Sequence, residues 1–178
     1  FVNRGNTPAP FAWLLHINLG YPLLEPDAGT FCYRGPVTPA FNSDGWLAEH
    51  SNFRTCPPPQ EAHRGAGEVV LLIDRPGDDE GNVLIGAVNR RRHFGLKIEY
   101  SSTDFPRLAN WQHWGPGGSY VGALEPMTAG LEGHAADKEK GWYETLAPGE
   151  VRELSCRFTA VAEAQEIESL LRLNAGVA

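Results

Sequence analysis

The apolar stretches of this chain are short, and glycine or proline separates nearly every one from the next. A helix declares itself over about ten to twelve residues of 3.6-residue periodicity, whereas a strand needs only about four to eight. The runs AWLLHINL (12–19), EVVLLID (68–74), NVLIGAVN (82–89), FGLKIEYSS (94–102), YVGALEP (120–126) and VRELSCRFTAV (151–161) therefore read as strands. Several alternate with period two: in LKIEY, Leu96, Ile98 and Tyr100 point one way while Lys97 and Glu99 point the other. DRPGDDEGN (74–82) is a polar Gly/Pro turn, predicted to join its flanking strands as a hairpin, and NRRRH (89–93) reads as a second hairpin or a solvated strand end. LAPGE (146–150) is a further turn, entering a long strand whose polar face carries Arg152, Ser155 and Arg157. Helical spacing is confined to AEAQEIESLLRLN (162–174), through Ile167, Leu170 and Leu171. The expected fold class is all-β, an antiparallel β-sandwich with a short C-terminal helix, in a single domain over residues 1–178.

Two segments break the pattern. Residues 25–67 show little periodicity and many prolines, but their aromatics Phe31, Tyr33, Phe41, Trp46 and Phe53 predict packing. Residues 132–141, EGHAADKEKG, read as a solvated loop. The net charge of -7 argues against a nucleic-acid partner, which demands clustered Lys and Arg. No run reaches the roughly 18 apolar residues of a membrane span. The 3 cysteines, Cys32, Cys56 and Cys156, fit neither a metal motif nor an even disulfide framework, so reduced thiols in a cytoplasmic protein are expected. The carboxylates of DRPGDDEGN lack the ordered spacing of a calcium loop, and no metal or other cofactor is expected. The chain opens on Phe1 without the pattern of a signal peptide, so a missing N-terminal portion is expected.

Two ionisable residues stand in apolar surroundings. In LLHINLG, Leu14, His16 and Asn18 share one strand face, while Leu15, Ile17 and Leu19 form an aliphatic face suited to a core. In YVGALEP, Val121, Ala123 and Glu125 share a face, so the strand-end carboxylate sits beside small residues that leave room for a ligand. Each could equally be structural, His16 as a satisfied polar residue and Glu125 as a turn cap or ion pair. Asn18 and Tyr21 lie near His16, and WQHWGPGGSY (111–120) supplies Trp111 and Trp114 just upstream of Glu125. Amide donors and aromatic rings are the groups a sugar site combines. His113 and His134 lie in Gly-rich stretches where exposure is commoner, and His50 and His63 lie in the irregular segment.

LLHINLGYPLL, PRLANWQHWGPGGSYVGALEP and LAPGE, in that order and spacing over about residues 10–160, resemble the C-terminal half of the galactose mutarotase-like superfamily. The match is nearest to its aldose-1-epimerase-like branch of the domain-of-unknown-function 4432 type. The resemblance implies part of a large antiparallel β-supersandwich, and a half of one implies either a longer parent or a homo-oligomer. It implies a mutarotase acting on a monosaccharide or sugar acid, with His16 and Glu125 as the catalytic pair. Glu125 would remove the proton of the anomeric hydroxyl and His16 would protonate the ring oxygen, with no cofactor. The same groups could serve proton abstraction beside a carbonyl. Asn18, Tyr21, Glu68, Trp111 and Trp114 would bind substrate. A non-catalytic carbohydrate-binding or sensor module on the same fold is the alternative.

Overall fold

The structure, a computed structural model, describes residues 1–41, 43, 45, 49, 52–65, 67–74 and 76–176. Trp46 and His50 lie outside the described residues. The strands are β1 (Ala9–Phe11), β2 (Ile17–Leu19), β3 (Gly29–Cys32), β4 (Val37–Ala40), β5 (Val69–Ile73), β6 (Asn82–Asn89), β7 (Phe94–Ser101), β8 (Arg107–Trp114), β9 (Tyr120–Met127), β10 (Glu144–Leu146) and β11 (Cys156–Val161). Among the described residues, two α-helices, α1 (His134–Glu139) and α2 (Ala164–Arg172), accompany them.

The strands form a five-stranded sheet in the order β2-β9-β8-β5-β4, a four-stranded sheet in the order β11-β7-β6-β3, and the pair β1-β10. Each pairing is antiparallel. The alternation read from the sequence sets which face meets which. Val83, Ile85, Ala87, Ile98 and Tyr100 from the smaller sheet pack against Leu19, Ile73, Leu108, Trp114 and Leu124 from the larger one, giving one buried core. Each buried Val, Ile or Leu among them contributes about 1.5–3 kcal/mol by leaving water. On the outer face of the four-stranded sheet, Ile167 and Leu170 of α2 and the following Leu173 pack on Cys32, Val88 and Val161. Gly86 on β6 lets β7 come close: a Cβ there would lie 2.1 Å from the Leu96 carbonyl oxygen, and 3.3 Å from the Leu170 side chain of α2. No helix among the described residues is long and apolar enough to cross a membrane.

The all-β sandwich and C-terminal helix match the expectation, but several elements differ. The turn at 74–82 forms, with Asp78 accepting from the Asn82 backbone N–H at 2.7 Å. It is no hairpin, because β5 and β6 belong to different sheets and the turn carries the chain across the sandwich. The expected hairpin at 89–93 does form, between β6 and β7. Within 25–67 the chain makes β3 and β4; β3 is buried at all four residues, which erases the alternation that would have marked it. Arg54 pins this segment, donating to the Tyr33 carbonyl at 2.7 Å and to the Asn174 side chain at 2.6 Å. The strand expected over 151–161 begins only at Cys156. Residues 132–141 are largely exposed, as expected, but they are not all loop: α1 spans six of them and buries Asp137, which accepts from the Gly130 N–H at 2.9 Å.

Candidate active site

The site lies on the face of the five-stranded sheet turned away from the core. Register aligns its side chains in rows across β5, β8, β9 and β2. One row is Val70, Trp111, Ala123 and Asn18. In the next, Leu72 sits opposite Ala109 and Ala109 opposite Glu125. The Leu15 N–H donates to the Pro126 carbonyl at 2.9 Å, prolonging the β2–β9 ladder and bringing His16 alongside Glu125. Alternation then has a chemical consequence. Ile17 and Leu19 point into the core, so His16 and Asn18 must point out of it.

His16 Nε2 lies 2.7 Å from Glu125 Oε1. The two side chains differ in exposure, 45% for His16 and 5% for Glu125. Leu14, Phe41, Val70 and Leu131 surround the pair in a pocket of about 250 Å³ that also includes Glu68 and Trp111. Ala109 and Ala123, small and fully buried, flank the carboxyl. Burial, and secondarily the negative charge of Glu68, pushes the Glu125 carboxyl up to about 7. The Glu125 carboxyl can therefore gain or lose its proton near neutral pH, with an imidazole beside it in the same cleft.

Trp111 connects the remaining groups. Its indole N–H donates to Glu68 Oε2 at 2.6 Å. Its ring meets His16 edge-on, with centroids 5.7 Å apart, and stacks on His113 at 5.9 Å. His113 Nδ1 lies 2.7 Å from the Ser119 carbonyl, which fixes the imidazole against the indole.

The structure thus gathers His16, Glu125, Glu68 and Trp111 around one pocket, with Asn18 exposed on the same face. The expectation for Trp114 is corrected. Three residues beyond Trp111 on one strand, it points the opposite way and is 0% exposed. It packs at 4.8 Å from Tyr120 and donates its N–H to Gln112 at 3.1 Å, out of reach of any ligand in the pocket. Tyr21 is also placed elsewhere. Its ring lies 5.3 Å beneath the Arg92 guanidinium, which donates to its hydroxyl at 2.8 Å. There it joins a cluster in which Asn89, Arg92 and Arg91 hold the Glu25 carboxyl down at about 2. Val70 and Leu131 are not singled out by the sequence reading, which takes Phe41 as a packing aromatic and sets His113 aside as a residue of a Gly-rich stretch. Strand parity would have raised His113, since it lies two residues from Trp111 on β8.

Among the described residues, no three His, Cys, Asp or Glu side chains cluster as a metal site. A cleft of about 640 Å³ opens on the four-stranded sheet between Arg34 and Arg157, apart from His16 and Glu125. It has the larger volume, but it lacks a paired acid and base.

The family described as a domain of unknown function (DUF4432) matches residues 1–160. No curated protein matches the sequence. Among solved structures, a putative aldose 1-epimerase from Klebsiella pneumoniae aligns with 99% of this chain and 47% of its own, at 18% identity and a TM-score of 0.81. A galactose mutarotase-like protein from Clostridium acetobutylicum aligns with 91% of this chain and 51% of its own, at 15% identity and a TM-score of 0.57. The Slr1438 protein from Synechocystis sp. PCC 6803 aligns with 91% and 48%, at 14% identity and a TM-score of 0.56. The chain spans about half the length of each, and the likeness is one of fold.

Proposed function

The chain belongs to the DUF4432 family, and from that premise we propose that it is an aldose-1-epimerase-like enzyme that interconverts the anomers of a sugar. The observation that carries this reading is the 2.7 Å contact between a half-exposed imidazole and a buried carboxyl. In the reaction the Glu125 carboxylate takes the proton from the anomeric hydroxyl as the bond from the anomeric carbon to the ring oxygen breaks. The protonated His16 delivers its proton to that ring oxygen. The open-chain aldehyde turns about the bond to its second carbon, and reclosure on the other face returns both protons. Proton count and bonds balance without a cofactor. A substrate must part the pair to place its two oxygens between them. The exposure of His16 allows it to be the partner that moves, while Glu125 stays fixed in its apolar surround.

Each well-placed acid or base is worth about 10²–10⁴-fold in rate. Trp111, held by Glu68, offers an indole to the C–H face of a sugar ring, and Glu68 can accept from a hydroxyl. The partner is a small-molecule sugar, met in the cytoplasm where the free thiols of Cys32, Cys56 and Cys156 stay reduced. Saturation-transfer NMR on a panel of reducing sugars tests the reading. The protein accelerates anomer exchange of at least one sugar over buffer alone, and Glu125→Gln removes that acceleration. Binding of a sugar without any acceleration would leave a carbohydrate-binding module in its place.

A further inference from the structure

The pocket around Glu125 does not end at its own walls. Phe41 and Leu131 also line a second cavity of about 590 Å³ further along the same sheet face. The next row across the sheet pairs Arg107 on β8 with Met127 on β9, and Leu14 bridges to Met127 from the other side. Both Arg107 and Met127 line this cavity, together with Leu72 and the chain after β9 that carries Gly130, Lys140 and Trp142.

Arg107 is the unusual group. Its guanidinium lies 4.1 Å over the Trp142 ring and donates to the Thr128 carbonyl at 2.9 Å. Among the described residues no carboxylate comes within ion-pair distance of it. Asp137 and Glu144 act on it from further off, but Asp137 accepts from the Gly130 N–H and Glu144 lies 3.4 Å from Arg152. Asp74 at the cavity edge is exposed, and Lys140, 4.8 Å from the same indole, is paired with Glu132. Burial lowers the Arg107 pKa, the mark of a cation that has given up solvent. A half-buried guanidinium fixed by an aromatic ring, with donors to spare, is matched by a carboxylate or phosphate.

Position adds the second constraint. Arg107 lies two residues along β8 from Ala109, which faces Glu125 across the ladder, a displacement of about 7 Å at the rise of a strand. That is the span of one pyranose ring with its exocyclic carbon. We propose that the substrate is a reducing sugar carrying an anionic group, carboxylate or phosphate, at the end of the ring remote from the anomeric carbon. Arg107, backed by Trp142, holds that group. The inference rests on the reading of Glu125 and His16 as the anomeric site.

Isothermal titration calorimetry on matched pairs tests it: galactose against galacturonate, and glucose against glucose 6-phosphate. A charge-assisted hydrogen bond makes the acidic member of at least one pair bind about 10- to 100-fold tighter. The pair that shows the effect separates carboxylate from phosphate. Arg107→Gln collapses the ratio to about twofold, whereas Arg107→Lys, which keeps charge without the fork, retains part of it. If Arg107→Gln fails to fold, the Lys variant and competition by inorganic phosphate against the bound acid decide. Equal affinities in every pair, or a ratio that survives Arg107→Gln, would overturn the proposal. Anomer exchange on the same samples is read separately. Tight binding of the acid without exchange supports the Arg107 site and sinks the catalytic reading, while exchange without acid preference does the reverse.

Discussion

Replacing Glu125 by Gln should stabilise the fold at alkaline pH, although the residue is buried and hydrogen-bonded. In the unfolded chain the carboxyl titrates at its ordinary 4.5, and in the folded protein at about 7. The folded state therefore binds the proton more tightly between those values, and stability falls as pH rises through that window. Above about 7 the loss is complete and constant. At about 1.4 kcal/mol per pH unit, the difference amounts to about 3 kcal/mol. It is an upper figure, since the imidazole 2.7 Å away returns part of it when it is protonated. Gln keeps the shape and a hydrogen bond to His16 but has no charge to bury. For a chain of this length, about 3 kcal/mol corresponds to a rise in Tm of about 6–12 °C. Thermal unfolding of parent and variant, followed by tryptophan fluorescence from pH 4.5 to 8.5, measures the gap. It should widen between pH 4.5 and 7 and then level off. A gap independent of pH, or a variant that loses ground as pH rises, would refute the burial argument. A base kept in apolar surroundings at the expense of stability is what a functional carboxyl requires.

The two tryptophans of β8 should separate cleanly. Trp114→Ala, which empties a fully buried site, should cost about 3–5 kcal/mol in urea unfolding. Trp111→Ala should cost far less stability and instead weaken sugar binding measured by calorimetry. Gly86→Ala should destabilise by about 1–3 kcal/mol in the same unfolding assay, because the added methyl meets the Leu96 carbonyl rather than a movable side chain. Unchanged stability there would mean that β7 approaches β6 at Gly86 less closely than the Leu96 carbonyl indicates.

Where alternation was clean, the sequence was readable: NVLIGAVN spans β6 residue for residue, and FGLKIEYSS overshoots β7 by one. β8 escaped because its inward face carries Asn110 and Gln112, polar residues that resemble an exposed strand or a loop. Their amides are satisfied inside the sandwich, Asn110 by the Ala123 carbonyl at 2.9 Å and Gln112 by the Phe53 carbonyl at 2.9 Å. Those partners are distant in sequence, so no local pattern announces them. The 74–82 turn shows the complementary gap. Asp, Gly and Pro specify that the chain turns, while the sheet it enters next is decided by packing across the core. At the site, parity placed His16 and Asn18 on one face and Glu125 with Ala123 on another, but only the β2–β9 register joins the two faces into one. The same parity, applied to Trp111 and Trp114, argues that both cannot reach the ligand. Arg107 and Trp142 converge from a strand and a distant loop, and nothing in their neighbouring residues marks the encounter.

The central claim is that an imidazole and a carboxyl act together on one sugar. Anomer-exchange rates for His16→Ala, Glu125→Gln and the double variant, on a sugar the parent turns over, test it most directly. Groups that work as a unit lose their effect together. Each single change is expected to slow exchange by about 100-fold or more, and the double variant should be no slower than the worse single one. A single variant that exchanges anomers at the parental rate, or a double variant whose losses simply multiply, would contradict the account.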